Sequence, residues 1–429
     1  MIDIKYIREE PDKVIENIKK KFQDPKIILV EKIKKKDEEW RKSKFQADNL
    51  RKERNKISEE INKAKKDKDN KKAEELIKKA KDIPIEIEKL EEKEIKLLEE
   101  IKHMMLQIPN LMSSKVPKGK DESENKEIKK IGLIPKFDFP IRNHVEILEN
   151  LKIADFESAA SVSGKGFYYL KDELAILNQA LIRFTIDFMR EKGYNYIETP
   201  LMLNESSIFA SMDKAAIEQS VYSIKDEDLN LIGTAEQSLL AMHSGNVISE
   251  EELPKKYFSY SMCFRKEIGA HGINEKGLWR THQFNKIEQF IFCKPEDSEK
   301  LYDELMKNSE EILTALELPF RIIEICSGDL ADWKFRSADF EVYRPTTKEY
   351  GEVMSLTNCT DYQARKLDIK CIDKHGVRRV LHTLNDTALA TSRILVTIIE
   401  NNQQKDGSIK IPKVLHKYTN FKEIKAKKN

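Results

Sequence analysis

Between Ile33 and Met104 the apolar residues of this chain fall on an alternating three-four spacing, which leaves little freedom in what the segment can become. Ile33, Trp40, Ala47, Leu50, Ile57, Ile61 and Ala64 form one series. Ala73, Leu76, Ala80, Ile83, Ile87, Leu90, Leu97, Ile101 and Met104 form a second, with one polar site at Glu94. Lys and Glu fill most of the other positions. A seam of this kind, sustained over several heptads, marks helices that pack as a coiled coil. The stretch between the series, Lys65–Lys72 (KKDKDNKK), has no apolar residue and predicts a hairpin tip. Two helices of about 33 residues at 1.5 Å per residue give an arm of roughly 50 Å. Pro84 lies inside the second limb, where it predicts a kink or a lost hydrogen bond.

Such an arm has little interior. It accounts for a charged fraction of 35%, above the usual quarter. The arm alone leaves two readings open. It could bind another helix or dimerise. It could also hold a polyanion, since Lys63, Lys65, Lys66, Lys68, Lys71, Lys72, Lys78, Lys79 and Lys81 outnumber their acidic neighbours. Total charge does not choose between them: Lys and Arg number 77 against 75 Asp and Glu, a net charge of +2.

The five cysteines form no CxxC pair, which argues against a disulfide framework and for a reducing compartment. No apolar run approaches the ~18 residues needed to span a bilayer. The opening MIDIKYIREEPDKVIEN lacks the apolar core of a secretory signal. These features predict a cytoplasmic protein with no membrane partner.

Three regions follow from composition: residues 1–110 with the arm, a linker at 111–140 rich in Pro, Gly, Ser and charge, and a domain at 141–429. Residues 1–30 read as a short helical lead-in with a turn at Asp24-Pro25. In the last region, 172–192 reads as an amphipathic helix. Tyr194–Leu201, 257–264, 284–292, 321–326, 339–343 and 350–356 read as strands. A long helix is expected from Ala388 to Asn402. Hairpin-like strands with flanking helices predict an α+β fold on an antiparallel sheet.

The common nucleotide-binding loops are absent: there is no GxxxxGK[ST] and no strand–GxGxxG–helix unit. There is no HExxH, GxSxG or zinc-spaced Cys/His cluster either. Phosphates would have to be held by arginines, which offer a planar fork of donors. Cys263–Phe290 (CFRKEIGAHGINEKGLWRTHQFNKIEQF) has that character. Arg265 and Glu267 sit two apart on an expected strand and so share a face. A loop with Gly269, Gly272 and Gly277 follows. Arg280 then leads a second strand, along which His282, Phe284, Lys286 and Glu288 alternate. A guanidinium could clamp a phosphate, a phenyl ring could stack on a purine, and carboxylates could accept from amino groups. A half-buried hairpin with surface ion pairs would look much the same.

This stretch resembles motif 2 of the class II aminoacyl-tRNA synthetases, in the form typical of seryl-tRNA synthetases. Other segments resemble that family in the same order. Pro200, after YNYIET, resembles the motif 1 proline of the dimer interface. Gly233-Thr234-Ala235-Glu236 resembles the serine-binding TxE loop. Glu352-Val353-Met354-Ser355 and the following NCTDYQAR resemble the segment that holds ATP and magnesium. Leu384-Asn385-Asp386-Thr387, running to Arg393 and Glu400-Asn401-Asn402-Gln403, resembles motif 3. The resemblance spans essentially the whole chain, arm included. It departs at Met354, which stands where the family often has the first of two serines. It departs again at Thr387, where motif 3 often carries Gly and Ser.

The resemblance implies a class II antiparallel sheet flanked by helices, preceded by the antiparallel coiled-coil hairpin. It implies a serine–tRNA ligase that makes seryl-adenylate from L-serine and ATP and then loads serine tRNA. Arg265, Glu352 and Arg393 would carry catalysis. ATP would meet Arg265, Lys266, Glu267, Thr281 and Phe284 on one side. Glu352, Val353, Met354, Ser355 and Arg393 would meet it on the other. Thr234, Ala235, Glu236, Arg265, Glu288, Asn385 and Thr387 would bind serine, and Glu352 with Ser355 would hold Mg2+. Glu267 would contact the adenine amino group, with Phe284 stacked on the ring. Arg393 would lie on the other face of the ring or near the γ-phosphate. The family also implies a homodimer whose arm reaches the long variable arm of serine tRNA bound mainly on the other subunit. Whether selenocysteine tRNA is charged as well stays open on sequence.

His282 is expected to orient its strand rather than catalyse, Trp279 and Trp333 to pack, and Cys326 to bind no metal. The basic end FKEIKAKKN could touch RNA or fray. Three rivals remain: a ligase that loads a carrier protein, a non-catalytic paralogue, and a coiled-coil interaction protein. The arm speaks against the first. The presence of Arg265, Glu352 and Arg393 speaks against the second, and the C-terminal two-thirds against the third.

Overall fold

A computed structural model describes residues 1–212, 214–268 and 276–425. The expected loop glycines Gly269 and Gly272, and residues 426–429 of the basic end, lie outside the described residues. The chain divides into two compact units, Ile2–Pro109 and the segment from Asn110 onward.

In the first unit, α1 (Ile4–Glu9) and α2 (Pro11–Lys20) precede a 3-10 turn at Asp24–Lys26 that runs straight into α3 (Ile27–Lys66). The returning limb is α4 (Asn70–Ala80) and α5 (Ile83–Met105). The tip is shorter than the sequence predicted. Lys68 adopts φ +59° and the Asp69 side chain caps α4 by accepting from the Lys72 N–H, so helix resumes at once. Pro84 does not kink a continuous helix. The helix stops at Ala80 and restarts at Ile83, which puts Pro84 in the first turn, where its missing N–H costs nothing.

Nine of the sixteen apolar seam positions are buried, the other seven are half-buried, and Met105 rather than Met104 ends the buried stripe. Ile33, Ala47, Ile57, Ala64, Ala73, Ile83, Ile87, Leu97 and Ile101 are all under a tenth exposed. Lys36–Glu100 at 2.5 Å and Arg51–Glu91 at 2.7 Å bridge α3 and α5 across the seam. Asp37, buried near the start of α3, takes Arg8 at 2.6 Å and Arg41 at 2.9 Å, so its charge is paired.

The second unit is built on an eight-stranded sheet. Its strands in chain order are β1 (Lys126–Ile131), β2 (Asn195–Tyr196), β3 (Lys255–Phe264), β4 (Gln283–Cys293), β5 (Phe320–Glu324), β6 (Arg336–Arg344), β7 (Glu349–Thr360) and β8 (His382–Ala390). Across the sheet they run β1-β5-β6-β7-β8-β4-β3-β2. Neighbours are antiparallel except β2 with β3.

Three expectations change here. The linker contains β1, a sheet edge whose lysines and glutamate leave it exposed and discourage further pairing. Only Asn195–Tyr196 of the expected strand at Tyr194–Leu201 joins the sheet. The last long helix begins at Thr391, because Ala388-Leu389-Ala390 ends strand β8. An apolar run of three suits either element, and pairing with β4 decides it.

Along β4 the odd positions Ile287, Ile291 and Cys293 join the main core beneath helices at Asp172–Glu191, Ser298–Ala315 and Thr391–Asn402. The even positions Phe284, Lys286 and Glu288 face the opposite side. On that side Phe284 and Lys286 line a cavity with Ser355 and Thr357 of β7 and Asn385 and Thr387 of β8, and Glu288 lies buried just behind them. Among the described residues no helix is long and apolar enough to cross a membrane.

Candidate active site

The cavity holds about 460 Å³ and combines charged, aromatic and hydroxyl side chains. That volume suits a small-molecule site. One wall is cationic and aromatic. Strand β3 ends at Phe264, so Arg265 lies just beyond it and not on it as the alternation predicted. Its backbone N–H donates to His282 O at 3.0 Å, and the His282 Nδ1 lies 2.9 Å from the Arg265 carbonyl. His282 thus orients the strand ends, as expected. The Arg265 Nε donates to Gly233 O at 3.1 Å, and its guanidinium sits 5.3 Å from the Phe284 ring centroid. Glu267 adopts φ +52° and pairs with Arg280 at 2.7 Å. Thr281 also lines the cavity, and its buried Oγ1 has no hydrogen-bond partner among the described residues.

The facing wall carries Glu352 and Arg393, an ion pair at 3.2 Å. Arg393 also donates to the Glu352 carbonyl at 2.8 Å. Partial desolvation pushes the Glu352 carboxyl upward although its side chain is 46% exposed, but Arg393, Lys334 and Arg265 outweigh it and hold the group below the usual carboxylate range. Ser355 lines the same wall, with Asp339 opposite it on β6. Burial, then the nearby Glu352, push the Asp339 carboxyl up to about 7.

The floor is a small polar pocket. Thr234 caps the helix Ala235–Ala241 and accepts from the Glu236 N–H. The Thr234 hydroxyl donates to Glu288 at 3.2 Å and accepts from Lys286 at 3.1 Å. Lys286 and Glu288 pair at 2.5 Å. Glu236 accepts from Gln363 at 2.7 Å and from Asn385 at 3.1 Å. Asn385 also donates to Glu288 at 3.2 Å. Burial, reinforced by the charge of Glu288, raises the Glu236 carboxyl to about 7. Among the described residues the Asn385 Oδ1 has no partner, so the pocket keeps one acceptor for a ligand donor.

The cavity brings together Thr234, Glu236, Arg265, Glu267, Thr281, Phe284, Glu352, Val353, Ser355, Asn385, Thr387 and Arg393. It does not bring four other expected side chains to its surface. Lys266 turns towards the Tyr222 ring, 6.0 Å from its centroid. Ala235 is buried in its helix. Met354 points to the opposite side of β7, into the core beside Phe340. Glu288 is fully buried behind Thr234, Lys286 and Asn385, and so acts through them.

Sequence reasoning missed Lys286, Lys334 and Gln363 as site residues. Lys286 sits two residues from both Phe284 and Glu288, and that alternation was the signal for it. Nothing local marks Lys334, whereas Gln363 lies in NCTDYQAR, which was read as a segment without a role for that residue. Trp279 and Trp333 were expected only to pack, yet both line the cavity. The five cysteines are all free and buried. Among the described residues no three His, Cys, Asp or Glu side chains group as a metal cage.

Two family models match this chain: "Seryl-tRNA synthetase N-terminal domain" over residues 1–112 and "tRNA synthetase class II core domain (G, H, P, S and T)" over residues 220–402. The serine–tRNA ligase of Methanocella arvoryzae is 42% identical, covering 98% of this chain and 99% of the relative. That of Dictyoglomus thermophilum is 43% identical over the full length of both. The crystal structure of the seryl-tRNA synthetase from Pyrococcus horikoshii complexed with ATP superposes with a TM-score of 0.95 at 39% identity, covering all of both chains.

Proposed function

The chain belongs to the seryl-tRNA synthetases and is a class II serine–tRNA ligase, and from that premise we propose how its side chains share the work. One observation carries the reading: a single cavity sets an arginine-and-phenyl wall against a carboxylate–arginine wall, over a small acidic floor. ATP fits between the walls and serine on the floor. Phe284 stacks on the adenine, and Glu267 accepts from the adenine amino group once its hold on Arg280 loosens. Arg393 meets the γ-phosphate.

In the first step a serine carboxylate oxygen attacks the α-phosphorus, and pyrophosphate leaves from the opposite side. Arg265, fixed by Gly233 and His282, offers its guanidinium Nη groups to the α-phosphate oxygens as charge builds there. No side chain needs to remove a proton, because the serine carboxylate is already ionised. In the second step the terminal tRNA hydroxyl attacks the seryl carbonyl and AMP departs.

The wall at Glu352 fits Mg2+. It offers hard oxygen donors from Glu352 and Ser355, the ligand type that suits an ion shared with substrate phosphates. When bound there, Mg2+ would neutralise phosphate charge. Glu236 accepts from the serine ammonium. Thr234, Asn385 and Thr387 surround the hydroxyl, and Glu288 tunes the floor from behind. A pocket built to hydrogen-bond a hydroxyl leaves buried groups unpaired when alanine enters.

The free cysteines fit a reducing cytoplasm. Pro200 fits a homodimer, and the lysine-rich tip of the arm fits serine tRNA. Amino-acid-dependent ATP–pyrophosphate exchange, run with all twenty amino acids, tests the reading. Exchange with serine alone is expected. Glu288→Ala should lose it while still binding ATP. Exchange with a different amino acid would overturn the assignment of the floor.

A further inference from the structure

Trp279 does more than line the cavity. Its indole packs against the backbone of β7 at Gly351, where any Cβ would overlap Cζ2 and Cη2 of the ring. The next residue along is Glu352. The Arg393 guanidinium lies 5.6 Å from the indole centroid, and that of Arg344 lies 4.3 Å from it. Arg344 is itself locked. It reaches both oxygens of the buried Glu400 at 3.1 and 3.3 Å. Glu400 also accepts from the Thr346 hydroxyl at 2.7 Å and from His144 Nδ1 at 3.0 Å. The other ring nitrogen of His144, Nε2, accepts from the Leu278 N–H at 3.1 Å, which makes Nδ1 the donor. The chain of contacts thus closes on the residue next to Trp279. A Cβ at Gly277 would collide with His144, which keeps that corner tight.

Burial would raise the Glu400 carboxyl, yet its bonds from His144 and Arg344 hold it at about 2. It therefore stays charged wherever the enzyme works. Arg344, Thr346 and His144 lie outside the segments that pointed to the site, and Trp279, though within Cys263–Phe290, was expected only to pack. We propose that Trp279 is a positioning residue. Clamped by the His144–Glu400–Arg344 network and seated on Gly351, it sets Arg393 for the outer phosphates of ATP. The proposal rests on the placement of Arg393 at the γ-phosphate. Arg393 has two other holds, the carboxylate and the carbonyl of Glu352. Both belong to one residue and leave the guanidinium free to swing about it. The indole supplies the third point of a fixed plane.

The test compares ATP with AMP, because AMP keeps the adenine, ribose and α-phosphate and lacks the outer phosphates. Calorimetric binding is measured with Mg2+ on the full-length protein. Trp279→Leu should weaken ATP about tenfold and leave AMP within about twofold, as expected for one lost cation–π contact that orients a phosphate ligand. Trp279→Phe, which restores a ring, should recover most of the loss. Equal losses for ATP and AMP would mean general damage and overturn the proposal, and so would no loss for either. Arg393→Gln separates the underlying reading. If it loses ATP selectively and Trp279→Leu does not, the positioning role fails and the placement of Arg393 stands. If Arg393→Gln treats ATP and AMP alike, that placement fails and the proposal falls with it.

Discussion

The role proposed for Glu236, receiving the serine ammonium, requires an ionised carboxylate, yet its burial beside Glu288 raises the carboxyl to about 7. The sign of the consequence follows. Below that pH the empty pocket holds a proton on Glu236, and serine must displace it to bind. Above that pH the carboxylate is already free. The KM for serine should therefore rise as pH falls through 7, by up to about tenfold per pH unit. Above about pH 8 it should level off, as a single titrating group requires. Glu236→Gln should bind serine weakly and remove the pH dependence. A wild-type profile flat from about pH 6 to 8 would contradict the role, since a group titrating at 7 must show there. Glu288 calls for caution of another kind. Its removal strands the Lys286 ammonium, and breaking one partner of a buried pair costs about 3–5 kcal/mol. Glu288→Gln is therefore the gentler probe of the floor. At this scale the sequence was legible where side chains alternate on one strand, as at Phe284 and Glu288. It gave no role to Gln363, which lies in the quoted NCTDYQAR but reaches Glu236 only through the fold. Met354 was misread for a related reason. A shift in register beside Phe340 decides which of its neighbours face the cavity, and no local pattern encodes that shift.

Among the elements, the arm was the most legible because a heptad seam is a long signal. Its boundaries were less so. The tip shrank because one left-handed lysine and one aspartate cap suffice to turn the chain. Pro84 restarts a helix rather than bending one. Strand β1 was hidden in a segment whose composition resembles a linker, since an exposed edge needs few apolar residues. The arm has its own seam and its own ion pairs, so removing it should leave the sheet unit intact. Joining residue 39 to residue 101, with 40–100 deleted, should abolish tRNA charging. Serine-dependent pyrophosphate exchange should persist within about threefold, as expected of a substitution remote from the chemistry. Parallel loss of both activities would show that the arm supports the catalytic fold.

For the whole molecule, the two units answer to different physics. The sheet unit buries one continuous core under helices and keeps its polar chemistry on the other face. The helical unit buries a stripe and exposes the rest, and it carries much of the chain's charge. With 50.1 kDa per chain, light scattering should report about twice that mass for a homodimer of the size class common among soluble assemblies. A single-chain mass with full serine activation would remove the dimer from the reading. The seam has a further consequence. Seven residues added to each limb beside the tip would keep every buried position in register and carry the tip outward by about 10.5 Å. Six or eight added to one limb would turn its apolar stripe to water. The arm can thus lengthen only in whole steps, like a ruler with fixed graduations. A lineage whose RNA partner grew would have to follow it one graduation at a time.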